Sequence, residues 1–77
     1  MYLLQPIVYL PEWELVPEDL DDAVAYMSGW DWGEYTDEPE RVDTIYPRYG
    51  NAQRRGDYVL HRYYDGAHAL YRVLSEN

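Results

Sequence analysis

The sequence predicts a small α+β domain: an antiparallel sheet made of an N-terminal edge strand and a C-terminal hairpin, packed against one α-helix at about residues 17–28. Three observations predict it. Tyr2 to Leu10 is an apolar run rich in Tyr, Leu, Ile and Val, residues 17–28 carry an apolar stripe at helical spacing, and two β-rich runs flank Asp65-Gly66. Seventy-seven residues make one domain, 1–77, with one modest core. The chain has no Cys, so neither a disulfide nor a thiolate metal site can staple it, and packing falls to ten Tyr, three Trp and the aliphatic residues.

In the first strand, Pro6 donates no ladder hydrogen bond, which places the strand at an edge or breaks it near its middle. The helix follows from Pro17, suited to a first turn, from four acids (Glu18, Asp19, Asp21, Asp22) where the helix dipole favours them, and from Gly29 as a left-handed stop. Leu20, Ala23, Val24 and Met27 form its core-facing stripe. Residues 30–40 show neither helical nor strand period and read as a loop in which aromatics alternate with acids. Arg41 to Tyr46 fits a short helix ending before Pro47, with a strand as the alternative. Tyr49 to Gly56 reads as a connector with a turn at Gly50-Asn51.

Asp65-Gly66 is a strong two-residue turn signal between Tyr58–Tyr64 and Ala67–Leu74. A two-residue turn there sets Leu60 opposite Tyr71 and Tyr58 opposite Val73, and puts His61 and His68 near one another on the face away from Leu60. Ala67, Leu70, Tyr71 and Leu74 also fit a helical stripe, so strand and helix both remain open over 67–75.

Catalytic chemistry finds little to work with. Ser28, Ser75, Thr36 and Thr44 sit in no nucleophile motif, and two histidines without a third ligand make a poor metal site. The Asp19–Asp22 acids lack the Gly and the distal Glu of a calcium loop, and no Gly-rich phosphate loop occurs. The expectation is a protein with no catalytic residues, metal or cofactor. No run of apolar residues is long enough for a membrane span, and no basic run precedes the N-terminal apolar stretch, which together suggest the cytoplasm.

Charge is segregated. Residues 12–43, the acidic helix-loop segment, hold twelve of the fifteen acids against Arg41 alone, a net −11, whereas residues 44–77 hold five Arg and three acids, a net +2. Such a field attracts basic partners and speeds their encounter. Trp30, Trp32 and Tyr35 are interleaved with these carboxylates, and a guanidinium can pair with a carboxylate while stacking on an indole. If the Trp rings instead face inward, they close the core. The expected partner-binding residues are Glu18, Asp19, Asp21, Asp22, Trp30, Asp31, Trp32, Glu34, Tyr35, Asp37, Glu38 and Glu40.

In size and charge alone, the chain is similar to the small acidic proteins with which phages disable host defence or nucleic-acid enzymes, such as anti-CRISPR proteins and other DNA mimics. That resemblance implies a non-enzymatic inhibitor, in the host cytoplasm, that blocks a basic nucleic-acid-binding surface of a partner protein, working as a monomer or small homo-oligomer. Two alternatives stand beside it. One is a structural, assembly or toxin–antitoxin-type domain docking by its aromatics. The other is direct nucleic-acid contact by the Arg- and Tyr-rich C-terminal hairpin, which the net charge of −9 opposes.

Overall fold

The computed structural model describes residues 1–30 and 38–77, and the sequence-derived expectations for residues 31–37 lie outside them. The fold is α+β. Its elements are β1 (Tyr2–Leu10), α1 (Leu20–Ser28), β2 (Glu40–Val42), β3 (Gly50–Arg55), β4 (Tyr58–Tyr63) and β5 (His68–Glu76). All pairings are antiparallel, in the order β2-β1-β5-β4-β3. The first and last strands are therefore neighbours, and Met1 and Asn77 exchange hydrogen bonds through N–H groups and carbonyls at 2.8 and 2.9 Å.

The expected N-terminal edge strand is not an edge: β2 flanks β1 at Tyr2–Leu4, and β1 runs unbroken from Tyr2 to Leu10, but Pro6 lies past that pairing. β2 covers only Tyr2–Leu4, so β1 has no β2 partner at Pro6, and a bulge follows between Pro6 and Val8. That bulge reverses the alternation. Leu4, Pro6, Val8 and Leu10 are all buried, yet Leu4 joins a cluster with Val59 and Val73 on one face of the sheet. Val8 and Leu10 join Leu60, Leu70, Ala23, Val24 and Met27 under the helix on the other. One strand thus feeds two cores, and the segment around Val42 and Ile45 covers the face that α1 does not.

Helix α1 begins later than its sequence suggests. Asp19 is the N-cap, its Oδ2 accepting from the Asp22 N–H at 3.1 Å, so Pro17 and Glu18 precede the helix. Gly29 ends it at φ −90°, ψ 3°, not in the left-handed region. The Met27 carbonyl accepts from the cap N–H, which spares the glycine its special conformation. The predicted stripe is otherwise the observed one: Ala23, Val24 and Met27 are buried, and Leu20 is half-buried against the same cluster.

Three segments depart from expectation. Residues 40–42 form a strand rather than a helix, because the backbone of Tyr2–Leu4 supplies a ladder and Val42 gains a place in the second cluster. Gly50–Arg55 is an edge strand rather than a connector, paired residue for residue with Tyr58–Tyr63 around a Gly56-Asp57 turn. Gly56 has φ +59°, as the first central position of such a two-residue turn demands.

The third departure is the register of β4 and β5. Leu60 faces Leu70 and Tyr58 faces Arg72, one residue away from the predicted pairs. The loop holds three residues, not two: the Tyr63 N–H donates to the Ala67 carbonyl at 2.9 Å, and Gly66, at φ +97°, takes the left-handed position that closes it. A strand, not the rival helix, runs from His68.

Gly50 is fixed by crowding. A Cβ there would overlap the Arg62 carbonyl oxygen and reach 2.8 Å from the Tyr63 Cα, while one at Gly56 would meet nothing within 4 Å. Gly50→Ala is expected to destabilise the fold by about 2–3 kcal/mol through forced strand separation. Gly56→Ala should cost about 1–2 kcal/mol for its left-handed backbone. Urea unfolding checks the order; a neutral Gly50→Ala would contradict the close approach of β3 and β4.

Candidate partner-binding surface

The helix start is positioned by Arg62. From β4 its Nη2 donates to the Pro17 carbonyl at 3.1 Å and the Glu18 carbonyl at 2.8 Å, its Nε donates to Gln53 Oε1 at 2.9 Å, and its Nη1 meets His68 Nε2 at 3.2 Å. A half-buried guanidinium is thus held by neutral acceptors, and the chain leading into α1 is fastened beside β3 and β4. Arg55 at the end of β3 pairs with Asp21 and adds a second tie to the same edge. Glu18, Asp19, Asp21 and Asp22, all exposed, therefore form one group at the β3 side of the molecule.

Other predicted residues go elsewhere. Glu40 lies on β2, the opposite edge, four strand spacings or about 19 Å away. Its partner Leu4 belongs to the cluster opposite the helix, so Glu40 is on that face too. Glu38 is exposed just before it. Trp30 is half-buried, packing on the helix-side core and edge-on to Tyr26 with ring centroids 5.2 Å apart. Asp31, Trp32, Glu34, Tyr35 and Asp37 lie outside the described residues.

The histidines do not form a pair. In the observed register His61 pairs with Ala69, and His68 with Arg62, so their side chains lie on opposite faces of the sheet. His61 is buried. Its Nε2 lies 2.7 Å from the Ile45 carbonyl, which can only accept, so Nε2 carries the proton. Nδ1 then accepts from the Tyr63 hydroxyl at 3.3 Å. The bond to the Ile45 carbonyl fastens the second covering segment to the sheet. Burial pushes the His61 pKa below the ordinary imidazole value, against the opposing pull of the Ile45 carbonyl. Burial likewise lowers that of His68, helped by the Arg62 charge and opposed by the Gly66 carbonyl. Because Arg62 donates to His68 Nε2, the neutral ring carries its proton on Nδ1. That atom is buried, turned towards Gly66 without reaching hydrogen-bond geometry.

The hydroxyls serve structure. Ser28 Oγ donates to the Ala25 carbonyl at 3.3 Å, and Thr44 Oγ1 accepts from the Tyr46 N–H at 3.3 Å. Beside Arg62, a cleft of about 480 Å³ is lined by Glu18, Asn51, Gln53 and Arg62 itself, and contains no nucleophile and base in contact. Among the described residues, no three His, Asp or Glu come together as a metal site, and no helix is long and apolar enough to cross a membrane.

The arginines are mostly engaged away from the acidic segment. Arg54 pairs with Glu76 at 2.7 and 2.8 Å, which lowers the Glu76 pKa, and Arg72 donates to the Tyr58 hydroxyl at 2.7 Å while lying over its ring. Arg48 lies over Tyr49, 5.5 Å from the ring centroid, and Arg41 approaches the Met1 sulfur. Comparison with known proteins adds nothing to this geometry: no family matches the chain, and neither a curated protein nor a solved structure does.

Sequence reasoning missed Trp13. Glu12 to Val16 has neither helical nor strand period, yet the Trp13 ring is among the most exposed large apolar groups of the described residues, while Trp30 packs inward. The signal that could have found it is the pair of prolines, Pro11 and Pro17, which bound the segment and disfavour regular structure across it, so that Val16 reaches the core while Trp13 and Leu15 stay in solvent.

Both histidines titrate lower in the folded than in the unfolded chain, so their contribution to stability is complete above about pH 6.5 and is lost as pH falls through their native pKa values. The urea midpoint is expected to drop between about pH 7 and pH 5, above the range where carboxylates protonate. His68→Gln, which keeps an acceptor for Arg62 but does not titrate, should make that drop shallower. A midpoint constant across this window would contradict neutral histidines in the native state.

Proposed function

We propose that the protein is a non-enzymatic binding protein, a phage-type inhibitor of the cytoplasm, that occupies a basic nucleic-acid-binding surface of a partner protein. Its carboxylates take the place of backbone phosphates. One observation carries the reading: the charge of the acidic segment is not cancelled within the molecule. Among its described acids, only Asp21 has an arginine partner, although five arginines follow in the same chain. An uncancelled field of one sign favours steering of an oppositely charged surface over stability of the monomer, which self-repulsion lowers.

The same bookkeeping disfavours direct nucleic-acid binding by the hairpin. Arg54, Arg62 and Arg72 are held by Glu76, by backbone and side-chain acceptors, and by Tyr58, so a phosphate would have to displace these partners. It would do so against a net charge of −9.

The test uses immobilised protein and purified nucleic-acid enzymes. A true partner should be displaced by duplex DNA, and its affinity should fall at least about tenfold between 50 and 200 mM salt, as for interfaces that neutralise several charges. Glu18→Lys with Asp22→Lys reverses two exposed carboxylates whose side chains neither cap the helix nor pair with Arg55, and should weaken binding by a similar factor. A partner that binds tightly, ignores salt and tolerates the double reversal would sink the proposal.

A further inference from the structure

Among the described residues, the large apolar side chains left most exposed are not scattered. Trp13 and Leu15 are 76% and 88% exposed, Tyr64 74%, and Tyr46 and Tyr49 63% and 64%. All five lie in three loops, β1–α1, β2–β3 and β4–β5; the first, the third and the Tyr49 end of the second meet at one end of the sheet. The directions of the strands require it: Leu10 pairs with His68, and Gly50 with Tyr63, whereas the β2–β3 loop leaves β2 at the other end, where Val42 pairs with Tyr2, and crosses the sheet to reach Tyr49. Two contacts join the loops. The Tyr64 N–H donates to the Tyr49 carbonyl at 3.0 Å, and a Cβ at Gly66 would lie 3.3 Å from the Glu12 Cβ. The hairpin tip therefore touches the loop on either side of it.

Each loop is held from behind while its rings stay in solvent. Glu14 N–H closes a turn on the Pro11 carbonyl at 3.0 Å, Asp65 Oδ1 accepts from Ala67 N–H at 3.0 Å, and His61 fastens the Ile45 carbonyl. Such an end is rigid and aromatic, and ordering it on binding costs little side-chain entropy. A monomer gains nothing by keeping an indole and the phenol rings of Tyr49 and Tyr64 in water at one end, and an exposed apolar patch marks a contact site.

Charge decides the occupant. Besides the helix-start acids Glu18 and Asp19, the three loops carry Glu12, Glu14, Asp43 and Asp65 against Arg48 alone. Arg48 shows the mode of contact within the molecule, its guanidinium lying over the Tyr49 ring. A second copy of this chain would bring the same acids face to face, whereas an arginine-bearing segment satisfies both rings and carboxylates.

We propose that this aromatic end docks an arginine-bearing segment of a basic partner protein, with Trp13 and Tyr64 as the ring platforms and Glu12, Glu14 and Asp65 as the counter-charges. This rests on the basic-partner reading above and names a contact surface distinct from the helix-start acids.

Titration of ¹⁵N-labelled protein with octa-arginine and octa-lysine peptides tests it. Octa-arginine should shift the Trp13 indole N–H and the Tyr49 and Tyr64 amides, and bind about two- to fivefold more tightly than octa-lysine, the factor expected of exposed cation–π contacts. Trp13→Ala with Tyr64→Ala should abolish that preference and leave the residual, salt-sensitive attraction; these side chains are exposed, and the amide spectrum verifies the fold. Shifts confined to Asp21 and Asp22, equal for both peptides, would overturn the aromatic platform while leaving the basic-partner reading in place. Failure of both peptides to bind would overturn both. Concentration-dependent broadening of the Trp13 and Tyr64 signals in the free protein would overturn it in favour of self-association.

Discussion

The two faces of the sheet owe their difference to the three-residue loop Tyr64-Asp65-Gly66. With Gly66 in the left-handed region, Leu60 lies across from Leu70, and both meet the helix. A loop shorter by one residue would set Leu60 opposite Tyr71 and invert β5 relative to β4. In the observed register, Arg62 and His68 become direct neighbours on the helix side, and His61 turns to the other face, where it receives the Ile45 carbonyl. The two covers of the sheet, α1 on one side and the residues around Ile45 on the other, are thus each fastened by a polar group of β4. A single glycine dihedral decides which group serves which face.

Arg62 also explains how an acidic helix start is tolerated close to the core. Its charge is spent on two carbonyls, an amide and an imidazole, so it anchors the segment by backbone and leaves the nearby carboxylates in water. Elsewhere the pattern repeats: Arg72 and Arg48 lie over tyrosines, and two ion pairs, both exposed, join acids to arginines. Exposed pairs of that kind contribute little to stability. The molecule's cohesion comes from Leu4, Leu10, Leu60, Leu70, Met27 and their neighbours, each a few kcal/mol of apolar burial.

Much of the fold was legible. The 2–10 strand, the α1 stripe and the β4–β5 hairpin follow from periodicity and turn chemistry, which are local properties. What was not legible depends on distant partners. β2 is a strand because Tyr2–Leu4 offers it a ladder some forty residues away in sequence, and Gly50–Arg55, polar and poor in β-branched residues, is a strand only because β4 pairs with it. Asp65-Gly66 signals a turn in either loop length, and only the pairing of the flanking strands decides whether Tyr64 belongs to the loop. As for the surface, the acids could be counted but not placed. The same segment carries Glu18 to one edge of the sheet and Glu40 to the other, and the ring that stays in water is Trp13, in a stretch whose lack of pattern concealed it.

The pairing of β1 with β5 has a consequence for how the molecule is presented. Met1 and Asn77 are hydrogen-bonded neighbours at the end of the sheet opposite the loops that carry Trp13 and Tyr64. Anything joined to either residue, whether a tether, a label or another stretch of polypeptide, leaves from that one corner and points away from Trp13 and Tyr64. The two chain ends are gathered behind the sheet, and the loops of Trp13 and Tyr64 lie at its far end.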